Sequence, residues 1–150
     1  MKWRRIQRDL ITDPSFATLP GPARLLYFEL ITFHADAHGR STGHPAMLTQ
    51  VLTGNAGDTA RALQLLDRSG LILWYAEEKR AMAYVQICNW DRDQGQRAIT
   101  GRAESRIPRP EPYHVNAEEL FIDPSEEEQE AGKECSAVSR LPGTWQEPGR

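Results

Sequence analysis

Residues 69–87, which read SGLILWYAEEKRAMAYVQI, constrain the fold more than any other part of the chain. Two apolar runs flank the charged turn Glu77-Glu78-Lys79-Arg80, the pattern of a β-hairpin. A lone hairpin buries too little surface to stand by itself in water. This one must therefore rest on something, and what precedes it is a helical pattern that stops at Gly70.

The upstream residues supply that support. Asp13-Pro14-Ser15-Phe16 reads as a short helical turn, broken by Pro20-Gly21-Pro22. Over residues 23–37 the apolar side chains Leu25, Leu26, Phe28, Leu30, Ile31 and Phe33 cover more than one helical face. This predicts a central, buried helix capped by Gly39. Residues 39–43 form a short connection with room for a small strand. A second helix is expected from Pro45 through Met47, Leu48, Val51 and Leu52 to Gly54, and a third over residues 57–69 with Leu63 and Leu66 inward. The last two, joined by Thr53-Gly54-Asn55-Ala56, make a helix-turn-helix candidate, and the hairpin becomes a wing beside it. The expected fold class is α+β, a winged helix-turn-helix of three helices and a wing over residues 1–90. Leu26, Leu30, Leu63, Leu66, Ile72 and Ile87 are its predicted core.

Beyond Trp90 the apolar pattern fades and charge takes over. The net charge of −3 divides unevenly along the 150 residues. Residues 1–109 hold 15 Lys or Arg against 11 Asp or Glu, a balance of +4, and residues 110–150 hold 3 against 10, a balance of −7. Residues 91–110 read as a basic arm carrying Arg92, Arg97, Arg102, Arg106 and Arg109. Residues 111–150 read as an acidic, disordered tail, with too little apolar surface to offset the entropy of ordering. Within that tail Glu118-Glu119-Leu120-Phe121-Ile122 is the exception, a stretch able to fold on a partner.

Ala23-Arg24-Leu25-Leu26-Tyr27, Ala35-Asp36 with Gly39-Arg40, Gly70-Leu71-Ile72 with Tyr75, and Ile87-Cys88-Asn89-Trp90 with Gln94 keep a common order and spacing. Together with Ser105-Arg106-Ile107-Pro108 they resemble winged-helix proteins of phages and mobile elements, related to replisome organisers of the DnaD type. The resemblance covers roughly residues 4–110. It departs at the hairpin turn, which lacks a glycine, and at Asp93, where a histidine is common. It implies a DNA-binding protein acting in replication initiation or its regulation.

At about 100° per residue, Arg61, Gln64 and Arg68 fall on one arc of the third helix, opposite Leu63 and Leu66. Such a stripe can read base edges in the major groove, Arg pairing with guanine and Gln with adenine. The bland reading is an ordinary solvated face; the helix-turn-helix setting favours the stripe. Lys79 and Arg80 at the wing tip, and Arg92, Arg97, Arg102 and Arg106 in the arm, are expected on backbone phosphates. The expected partner is double-stranded DNA, with replication proteins and a second copy of the chain as further partners. Leu65 and Trp74, taken as exposed, favour a rival reading as a protein-interaction module that binds no DNA.

Asp36 is expected to tie down the Gly39-Arg40 turn, and Trp90 to pack the wing on the first helix. His34 and His38 share a helical face, but that helix is ending and no Cys joins them, so no metal site is expected. No phosphate-binding, nucleophile-elbow or zinc-protease motif occurs, which points to a non-enzyme without cofactor. No apolar run reaches the roughly 18 residues of a membrane span. The basic start Met1-Lys2-Trp3-Arg4-Arg5 leads into polar residues, so the expected location is the cytoplasm, with no membrane partner; the resemblance to phage proteins implies that this is a bacterial host's. Cys88 and Cys135 do not read as a structural disulfide.

Overall fold

The computed structural model describes residues 3–48, 55–79, 82–95 and 100–125. The elements in chain order are α1 (Pro14–Ala17), α2 (Gly21–Glu29), β1 (Arg40–Thr42), α3 (Pro45–Leu48), α4 (Ala56–Arg68), β2 (Ile72–Ala76), β3 (Ala83–Ile87), α5 (Trp90–Gln94), β4 (Val115–Asn116) and α6 (Glu118–Phe121). A 3₁₀ turn at Arg8–Thr12 precedes α1, and a π-helical turn at Leu30–His34 continues α2. The architecture is mixed α+β, with helices against a four-stranded antiparallel sheet of order β1-β3-β2-β4. Among the described residues no helix is long and apolar enough to cross a membrane.

The predicted core holds in full. Leu26, Leu30, Leu63, Leu66, Ile72 and Ile87 are all buried, joined by Phe16, Leu48, Val85 and Trp90. The hairpin β2–β3 pairs from Ile72↔Ile87 to Ala76↔Ala83. Its inner face packs on α4, and β1 closes its other side. Ordinary strand alternation explains which side chains enter the core: Ile72, Trp74 and Ala76 point one way, as do Ala83, Val85 and Ile87. Trp74 is thus buried at 2% exposure, not exposed as expected, and its indole N–H donates to the Gly43 carbonyl at 2.9 Å. Leu65 is likewise only partly exposed and packs against the core.

The turn before β1 is built as the sequence suggested. Asp36 Oδ1 accepts the backbone N–H groups of His38 (2.8 Å) and Arg40 (3.1 Å). Gly39 sits at φ +75°, where a Cβ would lie 2.5 Å from Trp90 Cγ, so only glycine fits. It does not cap α2, whose π turn ends at His34 with Ala35 already extended. Nor is α2 apolar all round in use, because Leu25 and Phe33 are exposed. Trp90 is buried, with its indole N–H on the Ala37 carbonyl and the Arg4 guanidinium over its ring. Most of the second predicted helix beyond Leu48, and the Thr53-Gly54 part of the helix-turn-helix connection, lie outside the described residues.

The largest departure concerns residues 100–125. Residues 111–125, expected to be disordered apart from a Glu118–Ile122 stretch able to fold on a partner, carry β4 and α6, and that stretch folds on the chain's own body. The chain from Arg102 first crosses the outer sheet face, where Arg40 donates to the Ile107 carbonyl, Tyr75 hydroxyl to the Pro108 carbonyl, and Ser105 hydroxyl to Asp36. β4 then adds to the free edge of β2, and α6 reaches α4. This strap explains why Tyr75 is buried although it faces away from the core.

Candidate nucleic-acid interface

α4 is a well-terminated helix. Asn55 is its N-cap, accepting the Asp58 N–H at 2.8 Å, and Asp58 lies in the positive first turn. Arg68 lies in the last turn, and Gly70 follows the Ser69 C-cap with a positive φ. One face, including Leu63 and Leu66, is locked in the core. The opposite arc brings Arg61, Gln64 and Arg68 together, as their spacing predicts.

These three side chains are tied into one hydrogen-bonded chain, and only Arg68 is exposed. Arg61 donates to the Gln64 side-chain carbonyl, the Gln64 amide donates to Glu118 Oε1, and the Arg68 guanidinium donates to that same oxygen. Gln64 is 0% exposed, which corrects its expected place on an open stripe. The Arg68 side chain is half exposed and that of Glu118 is 19% exposed, so the ion pair sits at the edge of the strap.

Glu118 is itself held in position. Asn116 accepts its backbone N–H at 3.0 Å and donates its amide to Asp67 Oδ2 at 3.2 Å, while Asp67 Oδ1 accepts the Trp74 N–H. Burial raises the Asp67 carboxyl above its ordinary value, and the bonds from Trp74 and Asn116 oppose that rise. Three residues on from Glu118, Phe121 stacks on Trp74 at 5.6 Å and meets His44 edge-on at 5.1 Å.

The basic arm is spent largely on the protein itself. Arg92 pairs with Asp93, and Arg102 with Asp91 and the Ala37 carbonyl. Arg106 is exposed, and Arg109 pairs with Glu111. Arg40, Arg92 and Arg102 line an open cleft of about 430 Å³ with Leu73 and Trp90. Gln94 holds the backbone of Arg5 through two bonds of 2.9 Å and so anchors the N-terminal segment. Lys79 is exposed at the hairpin tip, and Arg80 and Arg97 lie outside the described residues. His34 and His38 turn to different partners, Glu29 and the Ala103 carbonyl. Among the described residues no three His, Cys, Asp or Glu side chains gather as a metal site.

Sequence reasoning missed Glu118 as the partner of the stripe. The available signal was the carboxylate three residues before Phe121, in the one tail segment able to fold on a surface. No family model, no curated protein and no solved structure matches the chain.

Proposed function

We propose that this chain is a double-stranded DNA-binding protein of the winged-helix type, with α4 as its contact helix and the β2–β3 hairpin as its wing. What supports the winged-helix reading is the element order α2, β1, α3, α4, β2, β3 and the antiparallel strand order β1-β3-β2. The observation that carries the DNA reading is the convergence of Gln64 and Arg68, with Arg61 behind, on one carboxylate oxygen. Donors arranged to hold a carboxylate can hold a phosphate oxygen. Lys79 extends the basic surface to the hairpin tip, and Arg106 is available on the strap. A role in replication initiation of a phage or mobile element, in the host cytoplasm, rests on the sequence resemblance.

Titrating the full chain onto labelled duplex between about 50 and 200 mM salt tests this reading, since each phosphate neutralised contributes about −0.9 to the log–log slope. Replacing Arg61 and Arg68 together by Ala should weaken binding and make the slope shallower by about 2. A slope unchanged in that variant contradicts the reading.

A second reading, a protein-interaction module, is favoured by one observation. The β2 edge accepts a strand while the groove beside Trp74 and His44 accepts an aromatic side chain, a recurring mode of peptide recognition. Retention of a replication protein by a chain that binds no duplex would support it.

A further inference from the structure

We propose that Glu118 occupies the place of a DNA phosphate on α4, so that the strap of residues 115–121 and a duplex exclude one another. The inference rests on the DNA-binding reading and specifies how that surface is regulated. Three observations carry it. The Glu118 carboxylate takes bonds from both Gln64 and Arg68 at a single oxygen, so a second anion must displace it to use them. Gln64 is fully buried while α6 is seated, and no base edge or phosphate can reach it. α6 also packs on α4 with Glu118 and Glu119 in its first turn, negative charge that repels a polyanion.

The strap is built to leave. β4 contributes only the pairs Tyr75↔Asn116 and Ala76↔Val115, extended by the Ala117 N–H on the Trp74 carbonyl at 3.1 Å. α6 spans four residues, has no side-chain N-cap bond and buries none of its own residues. Its polar hold is the Glu118 cluster and the Asn116–Asp67 bond, and its apolar hold is Ala117 in the core cluster, the Phe121–Trp74 stack and the partly buried Val115 and Ile122. Ala117 is the one fully buried side chain of the segment. Phosphate competes for the Glu118 cluster, the one hold that a duplex can replace.

The test uses the full chain and two variants that loosen the strap by unrelated means. Glu118→Gln removes the charge and keeps the shape; Phe121→Ala removes the stack and keeps the charge. Affinity for a labelled duplex is measured at low and high salt, and hydrogen exchange of the Ala117 amide is followed as duplex is added. Both variants should bind about ten-fold tighter than the parent at low salt, the worth of one charge-assisted bond. The gain from Glu118→Gln should shrink at high salt, where exposed charges are screened. The Ala117 amide of the parent should lose protection when duplex binds. Equal affinity of all three proteins overturns the exclusion and leaves the DNA reading standing. Tighter binding with Ala117 still protected shows a purely electrostatic effect and overturns displacement. Absence of duplex binding by all three removes the DNA reading, and the exclusion with it.

Discussion

The helical body and the strap that crosses it are held by different chemistry. In the body, Leu26, Leu30, Leu63, Leu66, Ile72, Val85 and Ile87 exclude water from one continuous cluster. In the strap, Ser105, Ile107, Pro108, Asn116 and Glu118 each meet the body at one or two polar atoms, and the apolar contacts are confined to Val115, Ala117, Phe121 and Ile122 near its end. Dry apolar packing has no equivalent in solution, whereas a hydrogen bond to a carbonyl or carboxylate can be exchanged for water or another anion at small net cost. The body should therefore behave as the permanent unit and the strap as an exchangeable cover.

The sharpest contrast is expected from Leu66→Ala. Loss of this fully buried side chain should cost about 2–5 kcal/mol in denaturant unfolding. A loss below about 1 kcal/mol would place Leu66 outside the core and erase the distinction.

Tyr27 extends the comparison to alkaline pH. Burial first, then the negative charge of Asp93, pushes its hydroxyl up from 10.0 to about 12. Because the folded value lies above the unfolded one, its contribution to stability is complete below pH 10 and is lost as pH rises toward 12. The loss should be of order 2 kcal/mol and should be absent from Tyr27→Phe. Parallel alkaline unfolding curves for the two proteins would contradict the burial of this hydroxyl.

A strap residue should matter less. Phe121→Ala removes a stack worth about 0.5–1.5 kcal/mol beyond its area, and it should raise exchange at Ala117 while leaving the core amides unchanged. A loss as large as that of Leu66→Ala would make the strap part of the core.

The smallest effect belongs to the hinge between the two regions. Asp67 should titrate above its ordinary 3.8, contributing stability that is full below that pH and lost as pH rises through the raised value. A carboxyl-carbon NMR titration with a midpoint at or below 3.8 would mean that the Asn116 contact leaves the group solvated.

What could be read from the sequence follows the same division. The core residues sit at helical and strand periods, and local spacing alone brings them to one side. Asp36 at its turn was also legible, because its partners lie close by, and Trp90 is buried as a structural residue, although its indole bonds the turn after the first helix. Trp74 was misjudged, although the period of two that buries Ile72 buries it as well. The strap was not legible. Its anchors join residues far apart in the chain, its strand is two residues long, and its composition is that of an unstructured tail. The arc of Arg61, Gln64 and Arg68 was found, but a helical wheel shows only which residues share a face. What covers the face lies in another element.

Native-state hydrogen exchange on the full chain measures the separation of the two regions most directly. The Ala117 amide, bonded to the Trp74 carbonyl, reports the strap, and amides in the middle of α4 and β3 report the body. Separate units predict that Ala117 opens at a free energy well below that of the α4 and β3 amides, and that denaturant brings the two together only near global unfolding. Equal protection of Ala117 and the core amides would contradict the exchangeable strap.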